Sequence, residues 1–223
     1  MIDLERAGIR TTLKEEPIVD LEHLLPAHLR PTRSQLEVYK TQNEWLLSPT
    51  AEMGSDHSID HPARVLIMQE YITRYLLLHG YDLSEDTRSA LRWFAAIHDS
   101  RRYDDGFDLE HGERAAQFAL TNLAHLMSPD TLQELIYLCR AHVPHDHEQP
   151  PLTLAGLIAK DADMLDRGRG CNDLDRSYVR LPITHLLISH ARELHALSLE
   201  MNTGDQYKNV MQAAIQLGYV MDI

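Results

Sequence analysis

Apolar residues recur at every third or fourth position along much of the chain, which is the spacing of one face of an α-helix. In segment 61–78, for example, Val65, Met68, Ile72 and Leu76 fall on one side of a helical projection. No convincing run alternates strictly between apolar and polar residues, the pattern that indicates a half-buried β-strand. The pattern therefore predicts an all-α fold, a helical bundle with mostly short connections.

Helix boundaries carry signals of their own. Ser84 and Ser128 are favourable N-cap residues, and the second is followed by Pro129 at the first helical position. Gly80 can adopt the left-handed conformation that ends many helices. These signals and the apolar spacing predict helices over 34–47, 61–78, 84–97, 108–126, 128–142, 153–165, 183–201 and 206–217.

The prolines and glycines divide the chain into three parts. We expect residues 1–50 to form a polar arm with a short helix and residues 51–170 to form the core. Residues 171–223 would add helices that pack on this core. Gly168 and Gly170 are suited to end the last core helix. No internal repeat or low-complexity tract interrupts this organisation.

Composition narrows the possible function classes. The 223 residues carry a formal net charge of −13, whereas a general nucleic-acid binder needs a basic surface, so we expect no nucleic-acid partner. No apolar run reaches the roughly 18 residues of a membrane span, and the N-terminus lacks the apolar segment of a signal peptide. Two cysteines cannot form a disulfide framework. We therefore predict a cytoplasmic protein without a membrane partner.

Fourteen histidines are a high number for this length, and several lie beside acidic residues at predicted helix ends. The informative residues, in chain order, are His61, His98, Asp99, His111, His142, Asp161 and Asp163. Imidazole and carboxylate together suit Mn, Fe, Ni, Co, Zn or Mg, and the lack of thiolates argues against a structural zinc site. A bound ion acidifies water and polarises a phosphoryl oxygen. This set predicts a divalent-ion site of the kind that a metallohydrolase uses.

The adjacent pair and the two later aspartates raise separate questions. Neighbouring residues on a helix point in different directions, so His98 and Asp99 can share an ion most easily at a helix end. A carboxylate beside an apolar face would be costly without an ion or a partner. Asp161 follows the apolar stripe of its predicted helix and Asp163 lies on a face of small residues. The pattern alone lets either of them bind the ion.

Four segments carry a family resemblance: DHSIDHPARV, AAIHDSRRYDDGFDLEHGERAA, LCRAHVPHDH and AKDADMLDRGR. They resemble the HD-domain metal-dependent phosphohydrolase superfamily over residues 56–170, roughly half of the chain, and the stretch from HDSRR to EHG resembles one subgroup of it. The resemblance implies an HD-domain helical bundle and an ion held by four residues: His61, His98, Asp99 and Asp163. It also implies that His111 and His142 either hold a second ion or bind the phosphate of the substrate.

Neighbouring residues are candidates for supporting roles. Arg101 and Arg102 could hold a phosphate bidentately, although salt bridges to nearby aspartates are an equal alternative. Many superfamily members carry a glutamate shortly after the His-Asp pair, where this chain has Arg-Arg-Tyr, so Glu110 becomes the candidate general acid or base. Asp166 would orient a ligand or pair with an arginine. His57 is a weaker candidate for a substrate contact.

The leading hypothesis is hydrolysis of a small phosphorylated compound by metal-activated water, with Asp99 and Glu110 as catalytic residues. A nucleotide is the expected substrate because nucleotides are the commonest substrates of the superfamily. One alternative is a di-iron oxygenase of the HD type, since the same residue order can hold two irons. Another is a non-catalytic module that binds a nucleotide or a metal. The terminal segments could close the pocket or form a homodimer interface.

Overall fold

A computed structural model describes residues 19–47, 58–167, 174 and 176–223. Within these ranges the chain forms α-helices and no β-strand, and a single isolated parallel bridge joins Thr32 to Met221. The helices α1 to α9 are, in order, Leu21–Leu24, Arg33–Glu37, Asp60–Leu78, Glu85–Ile97, His111–Phe118, Pro129–Ala141, Leu154–Arg167, Pro182–Glu200 and Gln206–Gln216. The predicted all-α fold is confirmed.

Helix α3 lies at the centre of the bundle and packs against α4, α7, α8 and α9. It is buried almost all round, so polar side chains along it need partners inside the protein. Glu70 is 1% exposed and accepts hydrogen bonds at 2.7 Å from both Arg74 and Arg92. The central helix is therefore held by ion pairs as well as by apolar packing.

Several predicted helix boundaries coincide with the observed ones. The Ser84 hydroxyl accepts a hydrogen bond from the Thr87 amide at the start of α4, and Ser128 does the same for Thr131 at the start of α6. Gly80 has φ of +83°, the left-handed conformation that follows the end of α3. Local capping chemistry was sufficient to place these ends.

The predicted helix over 34–47 is wrong beyond its first turn. Helix α2 ends at Glu37, and the rest of the predicted range contains only a 3₁₀ turn at Asn43–Trp45. Thr41 is buried there and donates to the Ala96 carbonyl at 2.8 Å, which fixes the non-helical path. Tertiary contacts with α4 outweigh the weak helical pattern of this segment.

The helix predicted over 108–126 begins at His111 instead. The Asp108 carboxylate accepts from the amides of Tyr103 and Glu110 and from Arg114, so it holds the preceding loop together. After Phe118 the helix loosens into a π-helical turn and then a 3₁₀ turn that reach Leu126.

The first and last described segments meet on one side of the bundle. The Met221 amide donates to the Pro31 carbonyl at 2.9 Å, and Arg30 donates to the Gly218 carbonyl at 3.0 Å. Residues 1–18 of the predicted arm, and the predicted boundary near residue 170, lie outside the described residues. None of the described helices has the length and apolar character needed to cross a membrane.

Candidate metal centre

Four histidines and two aspartates of the described residues form two adjoining buried groups. The first group consists of His61, His98, Asp99 and Asp163, and the second of Asp99, His111 and His142. Five helices supply them: α3 at its first turn, α4 just past its end, α5 at its first residue, α6 just past its end, and α7. Asp99 belongs to both groups, so the two form one centre that could hold a metal ion.

The first group has the dimensions of an ion's coordination shell. His61 Nε2 lies 3.1 Å from His98 Nε2 and 3.4 Å from both Asp99 Oδ2 and Asp163 Oδ1. His98 Nε2 lies 3.6 Å and 3.7 Å from the same two oxygens. Neighbouring donors on an ion with bonds of about 2.0–2.2 Å stand about 2.8–3.6 Å apart. The residues present therefore fit a divalent ion with open positions.

The second group is built on the other oxygen of Asp99. Asp99 Oδ1 lies 3.1 Å from His111 Nε2 and 3.8 Å from His142 Nε2, and the two nitrogens are 2.9 Å apart. Gly112 allows this approach, because a Cβ there would lie 2.2 Å from the Cys139 carbonyl oxygen. Only a glycine at this position lets the start of α5 lie so close to α6.

Every histidine of the centre is oriented by a hydrogen bond from Nδ1. The acceptors are the Asp166 carboxylate for His61, the carbonyls of Phe94 and Ala95 for His98, that of Asp108 for His111, and that of Cys139 for His142. Carbonyl and carboxylate oxygens only accept, so Nδ1 carries the hydrogen, and in the corresponding neutral tautomer Nε2 directs a lone pair inward. Metal-binding histidines are commonly oriented in this way.

Asp166 combines both roles predicted for it. Its Oδ2 accepts from His61 Nδ1 at 2.6 Å, and its two oxygens accept from Arg64 at 2.6 Å and 3.1 Å. Arg64 also donates to Asp60 at 2.6 Å. Burial works against the charge of Asp166, but Arg64 and His61 outweigh it and hold the pKa of this carboxyl well below its usual range. His61 is thus backed by a buried anion.

The two aspartates that the pattern left open have different surroundings. Asp163 faces His61 and His98, whereas Asp161 faces the start of α8. There Asp161 accepts from the Leu181 amide at 2.8 Å and the Thr184 hydroxyl at 2.7 Å. Asp161 serves as an anchor between α7 and α8, and Asp163 is the aspartate of the candidate centre.

The protonation states suit ligation. Burial opposes the ionisation of Asp163, yet the Arg167 guanidinium beside it helps to hold the pKa of this carboxyl well below the usual range. Burial lowers the pKa of His142 to about 4, which keeps this ring neutral. Carboxylate anions and neutral imidazoles are the forms that bind metals.

The two predicted phosphate-binding arginines are separated by the fold. Arg101 donates to the Trp45 carbonyl at 3.0 Å and its guanidinium lies over the Phe118 ring, so it is engaged away from the centre. Arg102 Nη1 lies 3.6 Å from Asp99 Oδ1 and 3.3 Å from His111 Nε2. Of the two, only Arg102 reaches the centre.

Glu110, the predicted general acid or base, does not join either group. Glu110 is exposed immediately before α5, and its role as general acid or base stays a prediction. His57 lies outside the described residues.

Arg167 reaches the centre although sequence reasoning missed it. Its Nη2 lies 3.2 Å from Asp163 Oδ2 at the end of α7. The available signal was spacing, since residues four apart share a helix face and Arg167 follows Asp163 by four.

No protein-family model, curated protein or solved structure matches the chain.

Proposed function

We propose that the chain is a metal-dependent phosphohydrolase of the HD-domain type that acts on a small phosphorylated compound. The observation that carries the proposal is the convergence of four imidazole Nε2 atoms and two carboxylates inside a bundle of helices. Their order along the chain is also that of the motifs that resemble the superfamily.

A bound cation explains the arrangement of the lone pairs. Two Nε2 atoms face each other at 3.1 Å in the first group and two at 2.9 Å in the second, with Nδ1 of each ring already donating elsewhere. Lone pairs and anionic oxygens in such proximity repel one another in a buried site. A shared positive charge turns this repulsion into attraction, and one or two divalent ions supply it.

The side chains have distinct parts in the proposed reaction. A bound divalent ion supplies a Lewis acid and an acidified water in sites of this kind. Asp99 offers one oxygen to each group and so sets their separation. Arg102 directs N–H donors to the same side as Asp99 Oδ1, where they can hold a phosphoryl oxygen as negative charge develops on it.

A nucleotide is the substrate class we favour. The loop between Asp99 and His111 carries Phe107, which is 90% exposed, and Tyr103, which is 64% exposed. Aromatic side chains can stack on a base. The Arg114 guanidinium lies over one face of the Tyr103 ring at 4.2 Å, so the exposed Phe107 ring is the more available of the two for this contact. Arg102 in the same loop would then hold the phosphate of the same molecule.

Metal analysis combined with a phosphate-release screen tests the proposal. We expect purified protein to retain a divalent ion and to release phosphate from nucleotides or sugar phosphates when loaded with Mn or Mg. Chelation and His61→Ala should both abolish release, whereas His147→Ala, at a side chain that is 80% exposed, should leave it unchanged.

Three results would contradict the proposal. Absence of any bound metal would remove its basis. Bound iron with oxygen uptake, and no phosphate release, would favour the di-iron oxygenase, because the shared Asp99 and the four histidines suit two irons as well. Bound metal and bound nucleotide with no turnover of any substrate would favour a non-catalytic module.

A further inference from the structure

We propose that Arg167 and Arg102 form a two-arginine clamp that holds the anionic group of the substrate beside the metal centre. The inference rests on the proposed function for the kind of substrate. In this proposal Arg167 has the phosphate-binding role that the sequence suggested for Arg101.

Arg167 lies on the solvent side of the first group. Its side chain is 61% exposed, while the Asp163 side chain that it contacts is 8% exposed. The two oxygens of Asp163 are divided, with Oδ1 toward His61 and His98 and Oδ2 toward Arg167 at 3.2 Å. The guanidinium therefore covers a buried ligand from outside, where a substrate would arrive.

Arg102 occupies the corresponding place at the second group. Its guanidinium donates to the carbonyls of Asp104 at 3.3 Å and Gly106 at 2.6 Å, and its Nη1 lies 3.6 Å from Asp99 Oδ1. These loop carbonyls fix its direction. Each carboxylate of the centre thus has one arginine next to it, from different segments of the chain.

The remaining donors of these arginines suit a phosphate. In the described part of the chain, Arg167 uses its guanidinium for a hydrogen bond to Asp163, and most of the group is exposed to solvent. A guanidinium has several N–H donors in one plane, which match two oxygens of a phosphate. The protein has a net charge of −13, so an anionic substrate needs local positive charge to approach the centre.

A simpler role for Arg167 has to be distinguished from this one. Residues four apart on a helix often form ion pairs, and an exposed pair of this kind stabilises a helix only slightly. If Arg167 only supports Asp163, its loss should change metal binding. If it holds substrate, its loss should change anion binding while the metal stays bound.

The test compares inorganic phosphate binding to metal-loaded wild type, Arg167→Met, Arg167→Lys and Arg140→Met by isothermal titration calorimetry. Arg140 is the matched control because it also pairs with an acid, Glu113, and is 51% exposed. We expect Arg167→Met to weaken phosphate binding by about 10- to 100-fold, the effect of losing charge-assisted hydrogen bonds. Arg167→Lys should lie in between, and Arg140→Met should match wild type.

Metal content measured on the same samples completes the test. Unchanged metal content in Arg167→Met together with weakened phosphate binding supports the clamp. Phosphate binding no weaker than in Arg140→Met, or a loss of metal in proportion to the loss of phosphate binding, overturns it. Failure of the proposed function is distinguishable, because phosphate binding is measured without turnover. A wild-type protein that binds no phosphate, with or without metal, overturns the clamp itself.

Discussion

The two groups of the centre share Asp99 but differ in donors and in surrounding charge. The first has four donors, and the buried Asp166 anion backs His61 at 2.6 Å. The second has three donors, and its histidines are backed by neutral carbonyls. Each group has a nearby arginine, but Arg102 lies 3.6 Å from Asp99 Oδ1, the oxygen that the second group uses, whereas Arg167 contacts Asp163 Oδ2 and leaves Oδ1 to the first group. A backing carboxylate strengthens a histidine ligand, whereas a nearby guanidinium competes with a cation for the same acceptors.

This difference indicates that two groups that share one carboxylate can differ in their affinity for a divalent ion. The first group is complete enough to hold an ion on protein donors alone. An ion in the second group would need more ligands from water or substrate and would share Asp99 Oδ1 with Arg102. We therefore expect a first divalent ion to bind tightly and a second one more weakly.

The largest loss of metal affinity should come from replacing Asp99, the residue that both groups share. Asp99→Ala removes a ligand from both groups at once, so both ions should be lost, each with an affinity decrease above about 100-fold, since even the outer partners of a ligand are worth about 10- to 100-fold. Metal analysis after dialysis measures this, with circular dichroism to verify that the helices persist. Retention of one full equivalent would show that the groups do not share this ligand.

Replacing one histidine in each group should separate the two ions. His98→Ala should remove the tight ion, whereas His142→Ala should leave the tight ion bound and abolish only the weak one, because each ring belongs to one group. Calorimetric titration with Mn distinguishes the two outcomes. Equal loss of the tight ion in both variants would contradict the ranking of the groups.

Removing the negative charge of Asp166 should weaken metal binding moderately, and only in the first group. Asp166→Asn keeps the shape of the side chain but removes the negative charge that contacts His61 Nδ1 and Arg64. We expect the tight ion to bind about 10- to 100-fold more weakly and the weak ion to be nearly unaffected. The same titration measures both, and an equal change at both ions would point to a general loss of packing instead.

The smallest change in metal affinity, and the only increase, is expected when Arg102 is replaced. Arg102→Met removes the competing charge beside Asp99 Oδ1, so the second ion should bind several-fold more tightly, by roughly 1 kcal/mol for a partly exposed charge. The first ion serves as the internal control. A weaker second ion in this variant would mean that Arg102 supports the second group and does not compete with it.

Sequence reasoning predicted more of this centre than of its surroundings. The His-Asp pair could be placed at a helix end because the chemistry of sharing an ion demands it, and α4 does end at Ile97. Periodicity could not decide which of Asp161 and Asp163 belongs to the centre, since both are buried. The position of α8 decides it, because Asp161 accepts a hydrogen bond from the start of that helix. The sequence could not distinguish the adjacent Arg101 and Arg102. In the structure Arg101 donates to the Trp45 carbonyl and is directed away from the centre.

The sequence by itself determined the helical class, most helix ends and the donor types, because these follow from apolar spacing, capping side chains and the coordination preferences of ions. Tertiary packing alone decided the non-helical path after Glu37, the division of the centre into two groups and the position of Arg167 at its solvent side. The reason is physical: these features depend on where separate helices meet, and contacts between distant segments outweigh the local preferences that a sequence pattern records.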